Sequence, residues 1–209
     1  MLIATPNLSL DITVRLASLQ AGSLPPGVPD DGYRQLVDIG HRAGVPAVVG
    51  AIPAVLREAL RSRPDLMSPN LSEAEGLLFD RVDEQVGGEG EEVAERAVQA
   101  AGRQHAAGAG RAVVTAGAAG AALCTAQGAW WRAAPPVEVV NPIGAGECFA
   151  AGARLAIISR TGDVDIVRRG LAAGSASCDS ATAGRFDPGR AEQLFQLIRP
   201  DRIENRQVA

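Results

Sequence analysis

Short apolar runs alternate with segments of helical periodicity along most of the chain, and this alternation restricts the fold more than any other feature. "VPAVVGA" (45–51), "DLMSPN" (65–70) and "RAVVTAG" (111–117) read as strands, each bounded by Gly, Pro or polar residues. Between them lie helical patterns: "PAVLREALRSR", with Pro53 suited to a first turn; "SEAEGLLF", whose Ser72 and Glu75 form a capping box; and "EEVAERAVQAAGRQHAAG". "AALCTAQGAWWRAA" predicts a hairpin turning at Gln127–Gly128, and "VEVVN" a last strand feeding a helix that starts near Gly144. Two further helices start near Asp163 and Asp187. Upstream, "MLIATPNLSLDITVRL" reads as two short strand-like pieces and "AGSLPPGVP" as a loop. A helix capped by Asp30 and ended by Gly44 follows. Strands alternating with helices predict an α/β fold: a mostly parallel central sheet covered on both faces, in one domain over residues 1–209.

The chemistry available to such a chain is narrowed by what it lacks. All 20 basic residues are arginine, and no lysine occurs anywhere. That excludes the lysine-bearing phosphate loop, the protein-kinase lysine and every lysine Schiff base. His41 and His105 stand far apart in helical patterns and read as surface residues, which argues against Ser-His-Asp chemistry and histidine-rich metal sites. Cys124, Cys148 and Cys178 are widely spaced and suggest neither a disulfide framework nor a zinc site. A net charge of -4 and only 3% aromatic residues argue against a nucleic-acid partner. The absence of a long apolar run and of a signal-like amino terminus argues for a cytoplasmic protein with no membrane partner. Carboxylates, backbone amides and arginines remain.

In an open α/β sheet, ligands sit beyond the carboxyl ends of the strands. Three strand-to-loop junctions fall there, and they are expected to converge on one crevice. In "NPIGAGECFAAG" (141–152), Gly144, Ala145 and Gly146 open a helix and Glu147 follows at once. Small residues let a ligand approach first-turn amides, which point at anions, and phosphoryl transfer needs such donors plus a carboxylate to take the acceptor's proton. The same stretch also reads as a tight strand-to-helix turn serving only packing. In "SPNLSE", Asn70 and Glu73 supply oxygen ligands of the kind magnesium takes, or simply cap a helix. In "VVTAGAAGA", Thr115, Gly117 and Gly120 line a nucleotide, or form the bend before the hairpin. Cys148 reads as a packing residue rather than a reactive thiol.

Taken together, the order and spacing of these segments resemble the PfkB, or ribokinase-like, carbohydrate kinases. The stretch Asn141–Gly152 is similar to that family's late signature, D/N-x-x-G-A-G-D followed by a small-residue helix. Its Asn141-Pro142 start, and the opening "TPNLSLDITV", resemble the fructose-1-phosphate and tagatose-6-phosphate kinase branch. "RPDLMSPNLSEAEGLL" and "LAAGSASCDSATAG" resemble the family's middle segment and late helix. The resemblance implies a ribokinase-like three-layer α/β/α fold and ATP-dependent transfer to a hydroxyl of a sugar or sugar phosphate, with magnesium. It assigns Asn7 and Asp11 to the sugar, Asn70 and Glu73 to magnesium and phosphates, and Thr115, Gly117 and Gly120 to the nucleotide. Gly144, Ala145 and Gly146 become the anion hole, and Glu147 the catalytic base.

The sequence departs from the family pattern in three respects. The base position holds Glu147 where the family has aspartate. Ser68 stands where the family usually has lysine. The lid strands and a glycine- and lysine-containing sugar motif are missing, which places an internal truncation after about residue 20 and leaves the fold without its β lid. An exposed sheet edge then offers a route to a homo-oligomer. Against the active kinase stands a catalytically impaired nucleotide- or phosphate-binding pseudokinase, or a subunit that needs a partner.

Overall fold

A computed structural model of the chain describes residues 29–50, 53–79 and 90–199, with the strand backbones at 2–3, 19–20 and 201–203. Strands β1 (Leu2–Ile3) and β2 (Leu19–Gln20) pair in parallel. The central sheet has six strands in the order β3 (Val48–Val49), β4 (Leu66–Met67), β5 (Ala112–Thr115), β6 (Ala121–Thr125), β7 (Gly128–Arg132) and β8 (Asp201–Ile203). It is mixed: β3, β4 and β5 run parallel, and β5 to β8 are antiparallel neighbours.

The parallel block follows from the helices that separate its strands, since parallel neighbours need a crossover. Helix α1 (Gly32–Arg42) precedes β3, α2 (Pro53–Leu60) joins β3 to β4, and α3 (Leu71–Phe79) and α4 (Glu91–Ala106) lie between β4 and β5. The antiparallel part comes from the expected hairpin. Thr125 pairs with Gly128, so the turn is Ala126–Gln127, one residue earlier than the sequence suggests. Gly128 takes a φ of +143° as the chain re-enters the sheet.

Both faces of the sheet are buried, and successive strand residues divide between two cores. Val49, Met67, Ala112, Val114, Ala122 and Cys124 pack toward α1–α4. Val48, Leu66, Val113, Leu123 and Trp130 pack instead toward α5 (Ala145–Ser159), α6 (Val164–Cys178) and α7 (Pro188–Leu197). Double burial explains why these strands read as continuous apolar runs rather than as alternating ones. Each fully buried Leu or Val contributes about 1.5–3 kcal/mol, which compensates for strands only two to five residues long. No helix among the described residues is long and apolar enough to cross a membrane.

Three expectations need correcting. Residues 137–141 form no strand: the amides of Val140 and Asn141 bond the Cys178 carbonyl at 2.8 and 3.1 Å, and Val139 and Val140 are 60% and 56% exposed. Pro135 and Pro136, just before, have no amide to give a ladder. Helix α1 starts after Asp31 rather than Asp30, with the Asp31 carboxylate bonded to Arg34 and Gln35. Strand β8 was not expected, because "DRI" carries no apolar alternation; its pairing with β7 supplies the order.

Candidate active site

The start of α5 is built from two glycines with different physical reasons. Gly144 has a φ of +85°, and a Cβ there would lie 2.4 Å from the Gly184 nitrogen. Only glycine permits both the left-handed turn and the close approach. Gly146 is the opposite case: a Cβ would meet no protein atom within 4 Å. Packing does not demand glycine there, and its absence of side chain leaves free space before the first-turn amides. The Ala145 amide donates to the Pro142 carbonyl at 3.3 Å and Cys148 to the Gly144 carbonyl at 3.0 Å, whereas the amides of Gly146 and Glu147 have no acceptor within the helix and carry the positive end of its dipole.

This helix start opens onto a cleft of about 630 Å³. Ala145 and Gly146 line it together with Thr115, Gly117 and Gly120. Thr115 ends β5, residues Gly117–Ala119 make a single 3-10 turn, and Gly120, at a φ of +136°, leads into β6. Pro135, Pro136 and Val137 supply an apolar wall, with Phe149 and Leu171 also in the lining. The lining thus combines apolar side chains with a helix N-terminus, which suits a flat heterocycle carrying phosphates.

The third junction lies beside the second. Asn70 bridges to Thr115 in parallel fashion, and the Thr115 amide donates to the Pro69 carbonyl at 3.1 Å. Asn70 and Glu73 cap α3 reciprocally: the Asn70 amide donates to Glu73 Oε2 and the Glu73 amide to Asn70 Oδ1, each at 2.9 Å. The capping box expected at Ser72 and Glu75 is thus two residues earlier, because Asn70 is itself a strong cap directly after Pro69. Glu75 is buried and pairs with Arg96 through two bonds of 2.7 Å.

Burial raises the Glu73 carboxyl above its ordinary range; the Asn70 amide opposes this, and the charge of Glu147 adds to it. Glu147 itself is exposed on the first turn of α5. The two carboxylates therefore act on one another across the junction of α3 and α5. Among the described residues no group of three or more His, Cys, Asp or Glu side chains is placed to hold a metal. A hard cation here would have these two carboxylates, with waters and phosphate oxygens completing its shell. Cys148 is buried, and burial pushes its thiol up, as it does for Cys178 on the cleft wall, so neither is poised as a nucleophile.

Asn7 and Asp11 lie outside the described residues. The sequence reading missed the apolar wall and the loop at Ala181–Gly184 that backs Gly144. Only the Pro135-Pro136 pair, just past the hairpin, hinted at the former.

Solved structures share this architecture. Phosphofructokinase-2 from Escherichia coli in complex with potassium matches with a TM-score of 0.74 and 24% identity, over 86% of this chain and 56% of that one. Ribokinase from Arabidopsis thaliana complexed with ribose and ATP matches at 0.66 and 23%, over 86% and 56%. A possible 1-phosphofructokinase from Thermotoga maritima matches at 0.70 and 18%, over 90% and 57%. The chain spans a little more than half the length of these proteins. Residues 9–188 match the sequence profile of the pfkB family carbohydrate kinases, and the chain belongs to that family.

Proposed function

We propose that the cleft binds Mg-ATP, with the apolar wall at Pro135–Val137 on the adenine and the α5 amides on the terminal phosphates. The observation that carries this reading is the open space at Gly146, which shares a cleft of about 630 Å³ with Thr115, Gly117 and Gly120. Asn70 and Glu73 serve the magnesium side, where a cation offsets the charge that Glu147 sets against Glu73. The activity proposed is transfer of the γ-phosphoryl group to a hydroxyl of a sugar phosphate. Glu147 takes the hydroxyl proton, the 144–146 turn stabilises the charge on the moving group, and Asn7 and Asp11 hold the sugar. The Asn141-Pro142 start favours the fructose-1-phosphate and tagatose-6-phosphate kinase branch. In this reading the lid segment is missing after about residue 20, and an open sheet edge supports self-association.

The test is a transfer assay with radiolabelled γ-ATP against a panel of hexose phosphates, paired with Mg-ATP binding. Transfer that is lost in Glu147→Ala supports the kinase; transfer that persists unchanged there removes Glu147 from its role. Binding without transfer to any acceptor supports the second reading, a nucleotide-binding pseudokinase. The glutamate at the base position favours that second reading, because its extra methylene displaces the carboxylate by about 1 Å, enough to cost on the order of a hundredfold.

A further inference from the structure

A second cavity, of about 410 Å³, is lined by Glu91, Glu95 and Val98 of α4 together with Ala119, Trp131 and Ala133. Ala119 and Trp131 pack against the core on the α1–α4 face of the sheet, whereas Phe149 and Leu171 of the nucleotide cleft belong to the core on the α5–α7 face. The two cavities therefore lie on opposite faces. A volume of this size is in the range of small-molecule pockets.

The chemistry of the lining selects an organic cation. Glu91 and Glu95 stand four positions apart and so share one face of α4. Both are exposed, and neither carboxylate has an ion-pair or hydrogen-bond partner among the described residues. No basic side chain is in the lining, and Trp131 adds indole surface, whose π face attracts cations. Val98 is buried, and Ala119 and Trp131 are half-buried, so the charged part of the lining is the more exposed. Carboxylates beside apolar and indole surface favour a cation with an alkyl stem over a hydrated metal ion.

The two cavities also share a wall. Ala118 lines the cleft, and Ala119, the next residue of the same 3-10 turn, lines the second cavity. Ala133 lines the second cavity and Ala134 the cleft. These two segments are in close contact: a Cβ on Gly120 would lie 2.0 Å from the Arg132 carbonyl oxygen and 2.7 Å from the Ala133 Cα. Packing this tight transmits a shift of Ala119 or Ala133 to Gly120, which lines the cleft.

We propose that the second cavity is an effector site for a small alkylguanidinium molecule, which supports the Gly117–Gly120 turn from behind and so tightens nucleotide binding. The guanidinium stacks on Trp131 and pairs with Glu91 and Glu95, and its stem fills the space beside Val98 and Ala119. Empty, the cavity leaves Ala119 and Ala133 without partner atoms on that side; an occupant supplies them. The site stands on the cavity alone, and its effect on Mg-ATP rests on the nucleotide reading above.

The probe is butylguanidinium, titrated into the full chain by calorimetry, with butylurea as its uncharged counterpart. Butylguanidinium is expected to bind about tenfold more tightly than butylurea, and the double variant Glu91→Gln/Glu95→Gln to lose about tenfold of that affinity. At saturation it is expected to raise Mg-ATP affinity about fivefold, and by reciprocity Mg-ATP raises butylguanidinium affinity by the same factor. The double variant keeps the Mg-ATP affinity of the unliganded parent but no longer responds to butylguanidinium, which separates the site from direct pairing of the cation with ATP in solution. Both glutamates are exposed, so this variant is expected to fold, and its unfolding midpoint checks that. Absence of butylguanidinium binding, or binding that the double variant retains in full, overturns the site. Binding that leaves Mg-ATP affinity unchanged, or lowers it, overturns the coupling. An arginine-containing peptide that binds more tightly than butylguanidinium overturns the small-molecule assignment in favour of a protein partner. Should the chain not bind Mg-ATP, the nucleotide reading fails and the coupling with it, while the butylguanidinium titrations still decide the site.

Discussion

Glu147 and Glu73 are the residues on which the chemistry turns, and their settings differ. Glu147 is exposed, so its replacement leaves the fold untouched and reports on function. Glu147→Asp, which withdraws the carboxylate by about 1 Å, is expected to raise transfer, and Glu147→Ala to lower it by at least about a hundredfold, with unchanged unfolding midpoints. Initial rates at saturating Mg-ATP check both. Glu73 is held above its ordinary titration range by burial first and by Glu147 in addition. A carboxyl with a raised folded value favours the fold below its unfolded value, and this contribution is lost as the pH rises through the folded one. Glu73→Gln, which can still cap α3, is therefore expected to melt no lower than the parent at pH 7. The gap should close as the pH falls below the carboxylate range. Melting curves at several pH values read this, and a variant less stable at pH 7 overturns it. The roles of Asn70 and Glu73 as caps were open in the sequence as one of two readings; that the charge of Glu147 acts on Glu73 was not, because 74 positions separate them.

At the scale of elements, α5 is aimed by its neighbour. Its glycines and alanines lie against α6 so closely that a Cβ on Gly152 would come within 2.3 Å of the Arg169 carbonyl, and one on Gly170 within 2.6 Å of the Phe149 ring. Gly152→Val is expected to cost about 2–3 kcal/mol as α5 and α6 are forced apart, and to weaken Mg-ATP binding although it does not line the cleft. Chemical denaturation and titration measure the two effects, and a loss of stability without a loss of binding would separate packing from aim. The helices themselves were legible, including the starts near Gly144, Asp163 and Asp187, because cap residues and 3.6-residue periodicity are local. The loss of the expected strand at 137–141 was not. Its apolar alternation was real, but its amides found the carbonyl at the end of α6, a partner known only once α6 is folded.

For the whole molecule, the two cores share one sheet, with Val113 in one and Val114 in the other, so helices on either face cannot melt independently of it. A single unfolding transition is expected. Mg-ATP at about one hundred times its dissociation constant should stabilise the fold by about 2.7 kcal/mol, read as a rise in Tm by calorimetry. A transition indifferent to nucleotide would leave the cleft without its proposed occupant. By itself the sequence determined the α/β class, the helix starts near Gly144, Asp163 and Asp187, the hairpin and the glycine-bearing turn at 144–146, because each is written in contacts a few residues long. Only the tertiary structure decided the antiparallel pairing of the hairpin with β5 and of β8 with β7, the apolar wall of the cleft, the action of Glu147 on Glu73, and the bond of Asn141 to Ala181. These join residues that are distant in sequence, and which of them meet depends on how the helices pack against the two faces of the sheet.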